Sequence, residues 1–138
     1  KERNVLNVRL NGAGDLMINS DISDIKELRP RAKEFIKNEA DLSSLPEKHV
    51  KEIDLLGPCY ITDKHVISVQ TDRGTPYDVY FNVQNELVAA YNELREELSK
   101  AKFGRSYEFL TDEQKVAIRT YYPQKISEAE PRNYGGNK

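Results

Sequence analysis

The chain predicts an α+β domain, a small mixed β-sheet with two long helices packed on one face. Residues 5–10, Val5-Leu6-Asn7-Val8-Arg9-Leu10, alternate apolar and polar with period two, as a half-buried strand does. Residues 25–36 and 80–98 instead place apolar side chains at spacings of three and four, the stripe of an amphipathic helix. Between these helical stretches His65–Thr71 is rich in β-branched residues, so strands and helices interleave and must share one core.

Taken in order, Leu6, Val8 and Leu10 share one face of the first strand, with Asn7 and Arg9 on the other. Asn11-Gly12-Ala13-Gly14-Asp15 supplies residues that tolerate positive φ, and Leu16–Asn19 resumes an extended pattern, which predicts a hairpin. Ser23 or Asp24 can cap a helix with Ile25, Leu28, Ala32, Phe35 and Ile36 inward. Pro30 removes one backbone donor inside that pattern. A single distorted helix to about Asn38 is preferred to a turn ending at Arg29 with a helix starting at Pro30. Residues 39–63 hold the breakers Pro46 and Gly57-Pro58 around a charged segment, and predict an irregular insertion with one helical turn near 46–53.

Order returns at Tyr60-Ile61 and is firm over His65–Thr71. Thr75 is then expected as an N-cap, Pro76 as the first helical residue, and Asp78 as the partner in a variant capping box. Tyr80, Val83, Leu87, Ala90, Tyr91, Leu94 and Leu98 form the longest apolar stripe, and Gly104 is the expected stop. Thr111-Asp112-Glu113-Gln114 reads as a second capping box, opening a short helix that ends before Pro123. Lys125–Glu130 reads as a short strand ended by Pro131, with Glu128 and Glu130 as a charged edge, followed by a loose tail over 132–138. The predicted order is β-β-α-β-α-(α)-β within one domain, 1–131. Strands either side of the long helix would form a right-handed crossover if they are parallel neighbours.

Composition narrows the function. The 138 residues, 32% of them charged and 38% hydrophobic, suit one small core. A net charge of −2, from 21 basic and 23 acidic residues interspersed along the chain, implies no basic face for nucleic acid or anionic lipid. The single cysteine, Cys59, excludes an internal disulfide and a multi-cysteine metal site. His49 and His65 have no ligand-like spacing, and no Gly-x-Ser-x-Gly elbow occurs. The Asp72–Tyr77 corner has the strand–turn–helix outline of a phosphate site. It holds one glycine, Gly74, and Pro76 removes a donor from the helix start, so a capped corner is the better reading. No catalytic residue, cofactor or metal is expected. Tyr77, Tyr121 and Tyr122 are candidates for a partly exposed binding surface, although packing in the core or at helix ends is the better reading.

Four stretches, in this order, resemble the periplasmic domain of the ExbD/TolR family of biopolymer-transport proteins, in its Bacteroidetes-type form. They are NVLNVRLNGAGDLMIN (4–19), ISDIKELRPRAKEFI (22–36), VISVQTDRGTPYDVYFNVQNELVAAYN (66–92) and YPQKISEAEP (122–131). Residues 39–63 and 103–121 would then be additions to the family core. The resemblance implies a module held at the bacterial inner membrane by an N-terminal transmembrane helix whose functional Asp lies outside these residues. The opening Lys1-Glu2-Arg3-Asn4 suits a piece of such a longer protein. The implied partners are an ExbB/TolQ-like channel subunit, a TonB-like protein or peptidoglycan, and a second copy in a homodimer, in a motor driven by the proton-motive force.

Such a module needs no catalytic group, only an edge or groove that a partner can enter. The expected partner-binding residues are Asp72, Arg73 and Tyr77 at the corner and Lys125, Ile126, Ser127 and Glu128 on the last strand. Ser127→Pro is the substitution expected to break pairing there. The competing expectation is a soluble periplasmic ligand-binding or sensing domain with a pocket at the Asp72–Tyr77 corner.

Overall fold

Alternation in the first segment produces β1 (Val5–Leu10), which buries Leu6, Val8 and Leu10. A turn over Asn11–Asp15 returns it as β2 (Leu16–Ile18), antiparallel to β1. The computed structural model describes residues 2–132. Asn19 and Ser20 then both take positive φ, 51° and 75°, and turn the chain into a third strand that the pattern did not predict, β3 (Asp21–Ser23). A strand of three residues with one apolar side chain, Ile22, is too short to show a period.

Asp24, not Ser23, caps helix α1 (Ile25–Lys37): its carboxylate accepts from the Lys26 N–H at 2.9 Å, and Glu27 accepts from the Asp24 N–H at 2.7 Å. The helix continues through Pro30, buries Leu28, Ala32, Phe35 and Ile36, and leaves Ile25 37% exposed. It ends at Asn38, whose buried side-chain amide donates to the Pro46 carbonyl at 2.8 Å and accepts from the Leu42 N–H at 2.8 Å, pinning the following loop.

The predicted insertion is largely a β-hairpin. β4 (His49–Ile53) pairs antiparallel with β5 (Gly57–Ile61), in place of the expected helical turn. Only Ile53, Cys59 and Ile61 turn inward, and Pro58 lies within β5, so alternation is weak and interrupted. This hairpin packs on α3 (Asp112–Tyr121), where Ala117 joins the same three side chains in a second small core edged by Leu56 and Tyr121. The two segments read as additions thus cover one another. The box of α3 forms as predicted, with Gln114 N–H on Thr111 Oγ1 at 3.2 Å and Thr111 N–H on Gln114 at 2.9 Å.

β6 (Val66–Asp72) lies parallel to β1 and leads into α2 (Tyr77–Phe103), which stops at Gly104 with φ 70°. Thr75 does not cap α2. Its hydroxyl donates back to the Asp72 carbonyl at 2.7 Å, within 3.1 Å of the Asn11 carbonyl, and the cap position falls to Pro76 without a side-chain bond. The stripe Val83, Leu87, Ala90, Tyr91, Leu94 and Leu98 is buried as the spacing predicts.

The last strand, β7 (Ile126–Arg132), is parallel to β6. It passes Pro131 because the ladder is irregular between Gln70 and Asp72, a place where a missing donor is tolerated. The five-stranded sheet runs β3-β2-β1-β6-β7, with β4-β5 as a separate ribbon. Arg29 bonds Glu86 at 2.9 Å and Glu93 at 2.6 Å, while Lys33 bonds Glu93 at 3.1 Å and Glu97 at 2.9 Å. Rising numbers pair with rising numbers, so α1 and α2 descend the sheet side by side in one direction. The fold is α+β, with a mixed sheet. The tail over 133–138 lies outside the described residues.

Candidate functional site

An edge strand carries backbone groups that its own sheet does not use, and β7 is such an edge. Which groups are free follows from the ladder's phase. Ile67 N–H donates to the Lys125 carbonyl at 2.9 Å, and Ile67 is opposite Ile126. In a parallel ladder, alternate residues then face the same neighbour: Lys125 turns its C=O, and Ser127 its N–H and C=O, toward β6, and Ile126 and Glu128 turn theirs outward. Proline at Ser127 would therefore break the inner ladder, not the free edge. Glu128 is the position that tests the edge.

Glu128 differs from the sequence expectation in a second way. Its side chain lies on the α2 side of the sheet, where it accepts from the Gln84 side-chain amide. The Tyr80 hydroxyl also donates to Glu128, which raises the phenol above its ordinary range, and burial adds to the shift. The carboxylate holds strand to helix while the backbone of the same residue stays open. Ser127 is exposed on the other face and Ile126 is half-buried, with Ile126 packed against the main core.

The first residue of this segment is anchored as well. Lys125 N–H donates to the Tyr91 hydroxyl at 3.1 Å, and Tyr91 lies 2.6 Å from His65 Nε2. His65 Nδ1 lies 2.5 Å from the Thr62 carbonyl, which can only accept, so Nδ1 carries the proton and Nε2 accepts from Tyr91. His65 is fully buried, stacked on Tyr91 and edge-on to Phe35. Burial holds its imidazole below its ordinary pKa, and burial pushes the Tyr91 phenol up to about 12. Sequence reading placed His65 only as a strand residue; its role depends on Tyr91 and Lys125, 26 and 60 positions later, and no local pattern joins them.

The corner residues lie at the opposite end of β7. Asp72 pairs with Arg132, whereas Ile126 pairs with Ile67, five positions earlier on β6 and about 16 Å away at strand rise. The predicted residues thus form two groups, one at each end of a single edge. Asp72 itself is engaged by Arg9 at 2.8 Å across the β1–β6 pair. Arg73 is exposed, and its carbonyl would lie 3.0 Å from a Cβ at Gly12. A Cβ at Gly14 would lie in contact with Val79 at 3.4 Å and Pro76 at 3.7 Å, so the β1–β2 turn is seated against the corner. Of the polar side chains at this corner, Asp72 is bonded to Arg9 and Thr75 to the Asp72 carbonyl.

Tyr77 is 74% exposed and stacks on Phe81, itself 49% exposed, with ring centroids 6.0 Å apart; Tyr80 lies 6.4 Å from Tyr77. Tyr80 reaches Glu128, so this aromatic ledge stands beside the edge strand and joins its two groups. Of the other aromatic candidates, Tyr122 is buried in the main core and Tyr121 is half-buried against the second core, in line with core packing and not with an exposed binding surface. His49 bonds Asp63. Burial pushes the Asp63 carboxyl up, but the hydrogen bond and charge of His49, with Lys51 and Lys125, outweigh it and hold the group below the usual range. Among the described residues no cluster of His, Cys, Asp and Glu could hold a metal ion, and no helix is long and apolar enough to cross a membrane. No protein-family model matches the chain, and no match to it was found among curated proteins.

Proposed function

We propose that this chain is the periplasmic, partner-binding module of an inner-membrane complex of the ExbD/TolR type, driven by the proton-motive force to support transport across the outer membrane. It acts without catalytic chemistry. An extended segment, from a second copy or from a TonB-like protein, adds to the outer edge of β7. It makes backbone bonds with Ile126 and Glu128 and packs side chains on the ledge of Tyr77 and Phe81. The ExbB/TolQ-like channel subunit is engaged through the membrane anchor of the full-length protein.

The observation that carries this reading is the β7 edge: seven residues long, parallel to β6, with outward backbone groups next to exposed aromatic rings. The four-part sequence resemblance supplies the identity of the complex. The test is photo-crosslinking of the full-length protein in its own cells, with the photoreactive residue at Ser127 or Tyr77. Capture of a second copy, or of a protein with a TonB-like membrane anchor and extended periplasmic segment, is expected. Capture of neither, from a stably expressed protein, contradicts the proposal.

A further inference from the structure

The second core leaves an open groove on its outer side, between the β4–β5 turn and α3. The groove holds about 330 Å³, and Ile53 forms part of its floor. Leu55 and Val116 line it while remaining 57% and 52% exposed. The charged side chains that line it have one sign, Glu52, Asp54 and Glu113, with no basic side chain among the described lining residues; Lys51 and Arg119 line the next hollow, beyond Val116 and Thr120.

Leu55 is held in an unusual way. Its φ is +73°, in the left-handed region that a leucine adopts only against steric repulsion and that glycine adopts freely. The Leu56 N–H closes the turn on the Ile53 carbonyl at 3.0 Å, and Gly57, at φ +74°, fills the next left-handed position. Leu55 holds this conformation with more than half of its surface exposed. A strained residue kept with its side chain exposed beside a groove is characteristic of a binding surface.

We propose that this groove binds a basic peptide segment carrying an apolar anchor. The anchor side chain packs against Ile53, Leu55 and Val116, and flanking Lys or Arg residues meet Glu52, Asp54 and Glu113. Three carboxylates with no cation among them attract such a segment and repel an acidic one. The site is separate from the β7 edge and stands whether or not that edge is used.

The test is an NMR titration of the full chain with three short synthetic peptides. One has a Leu pair flanked by Lys, the second has Glu in place of Lys, and the third keeps Lys but replaces the Leu pair with Ser. The first alone should move the amides of residues 52–56 and 113–120, with an affinity that falls as salt is added. Leu55→Gly should raise the thermal midpoint, because the strain is gone, yet weaken binding about tenfold. Glu52→Lys with Glu113→Lys should transfer the preference to the Glu peptide. Equal binding of Lys and Glu peptides, unchanged affinity in Leu55→Gly, or the same amides moving with protein concentration alone would overturn the proposal.

Discussion

The two edges of the five-stranded sheet are built on different plans. β3 has three residues, follows a turn with two left-handed non-glycine residues, and passes at once into the Asp24 cap of α1. It offers an incoming strand one or two bonds before the chain turns away. β7 has seven residues and is braced from behind by Tyr91 on Lys125 and by Gln84 on Glu128. The side chains of Ile126 and Glu128 are committed to the fold, and the backbone groups of the same residues are not. Length and bracing, more than exposure, separate a usable edge from a protected one; Ile22 on β3 is 85% exposed, yet its strand is too short to extend a sheet.

The largest expected effect comes from breaking the better edge. Glu128→Pro removes an outward donor and obstructs an added strand. It should weaken self-association or partner binding about a hundredfold, equivalent to about 3 kcal/mol. Glu128→Ala is the control for the lost side-chain bond, and should keep association in sedimentation experiments. Next comes the bracing. Tyr91→Phe strands the His65 Nε2 acceptor and the Lys125 donor, and should lower stability to urea by about 2 kcal/mol. Amides at the start of β7 should then exchange faster relative to those of α1, making this edge more like β3.

The same brace responds to pH. Asp63, Lys125, Tyr91, the Thr62 carbonyl and the Phe35 ring surround or adjoin His65, and its folded-state pKa is depressed. The folded protein therefore binds fewer protons than the unfolded chain once pH falls below about 6.5. Stability from the neutral imidazole is complete above that value. It is lost on acidification by at most about 1.4 kcal/mol per pH unit, until the lowered pKa is reached. Glu93, held low by the Lys33 and Arg29 hydrogen bonds, acts only below the usual carboxylate range. Thermal midpoints of wild type and His65→Gln, measured between pH 7 and 5, should converge as pH falls. Parallel curves would remove His65 from the account. The smallest effect belongs to β3: Ile22→Thr should change stability by less than about 0.5 kcal/mol and leave association unaltered.

Much of the frame was legible because its elements are long and strongly periodic. The buried faces of β1, α1 and α2 follow directly from spacing, and both Gly104 and the Thr111 box end or start helices where chemistry requires. The hairpin of β4 and β5 was not legible, because Lys51 and Pro58 interrupt an alternation that only Ile53, Cys59 and Ile61 express. Thr75 looked like a cap, yet its hydroxyl is drawn to carbonyls of Asp72 and Asn11, a tertiary preference that no local pattern contains. The candidate edge was legible as a strand. Its phase was not: whether Ser127 or Glu128 faces outward depends on register against β6, which the side-chain pattern of 125–130 leaves open.

That phase also provides the most direct test. Amide hydrogen exchange should be followed residue by residue by NMR, for the dilute chain and for the associated or partner-bound form. Ile126 and Glu128 should exchange freely in the dilute chain and become protected on association, while Ser127 stays protected in both. Association that leaves Ile126 and Glu128 unprotected would contradict strand addition at β7.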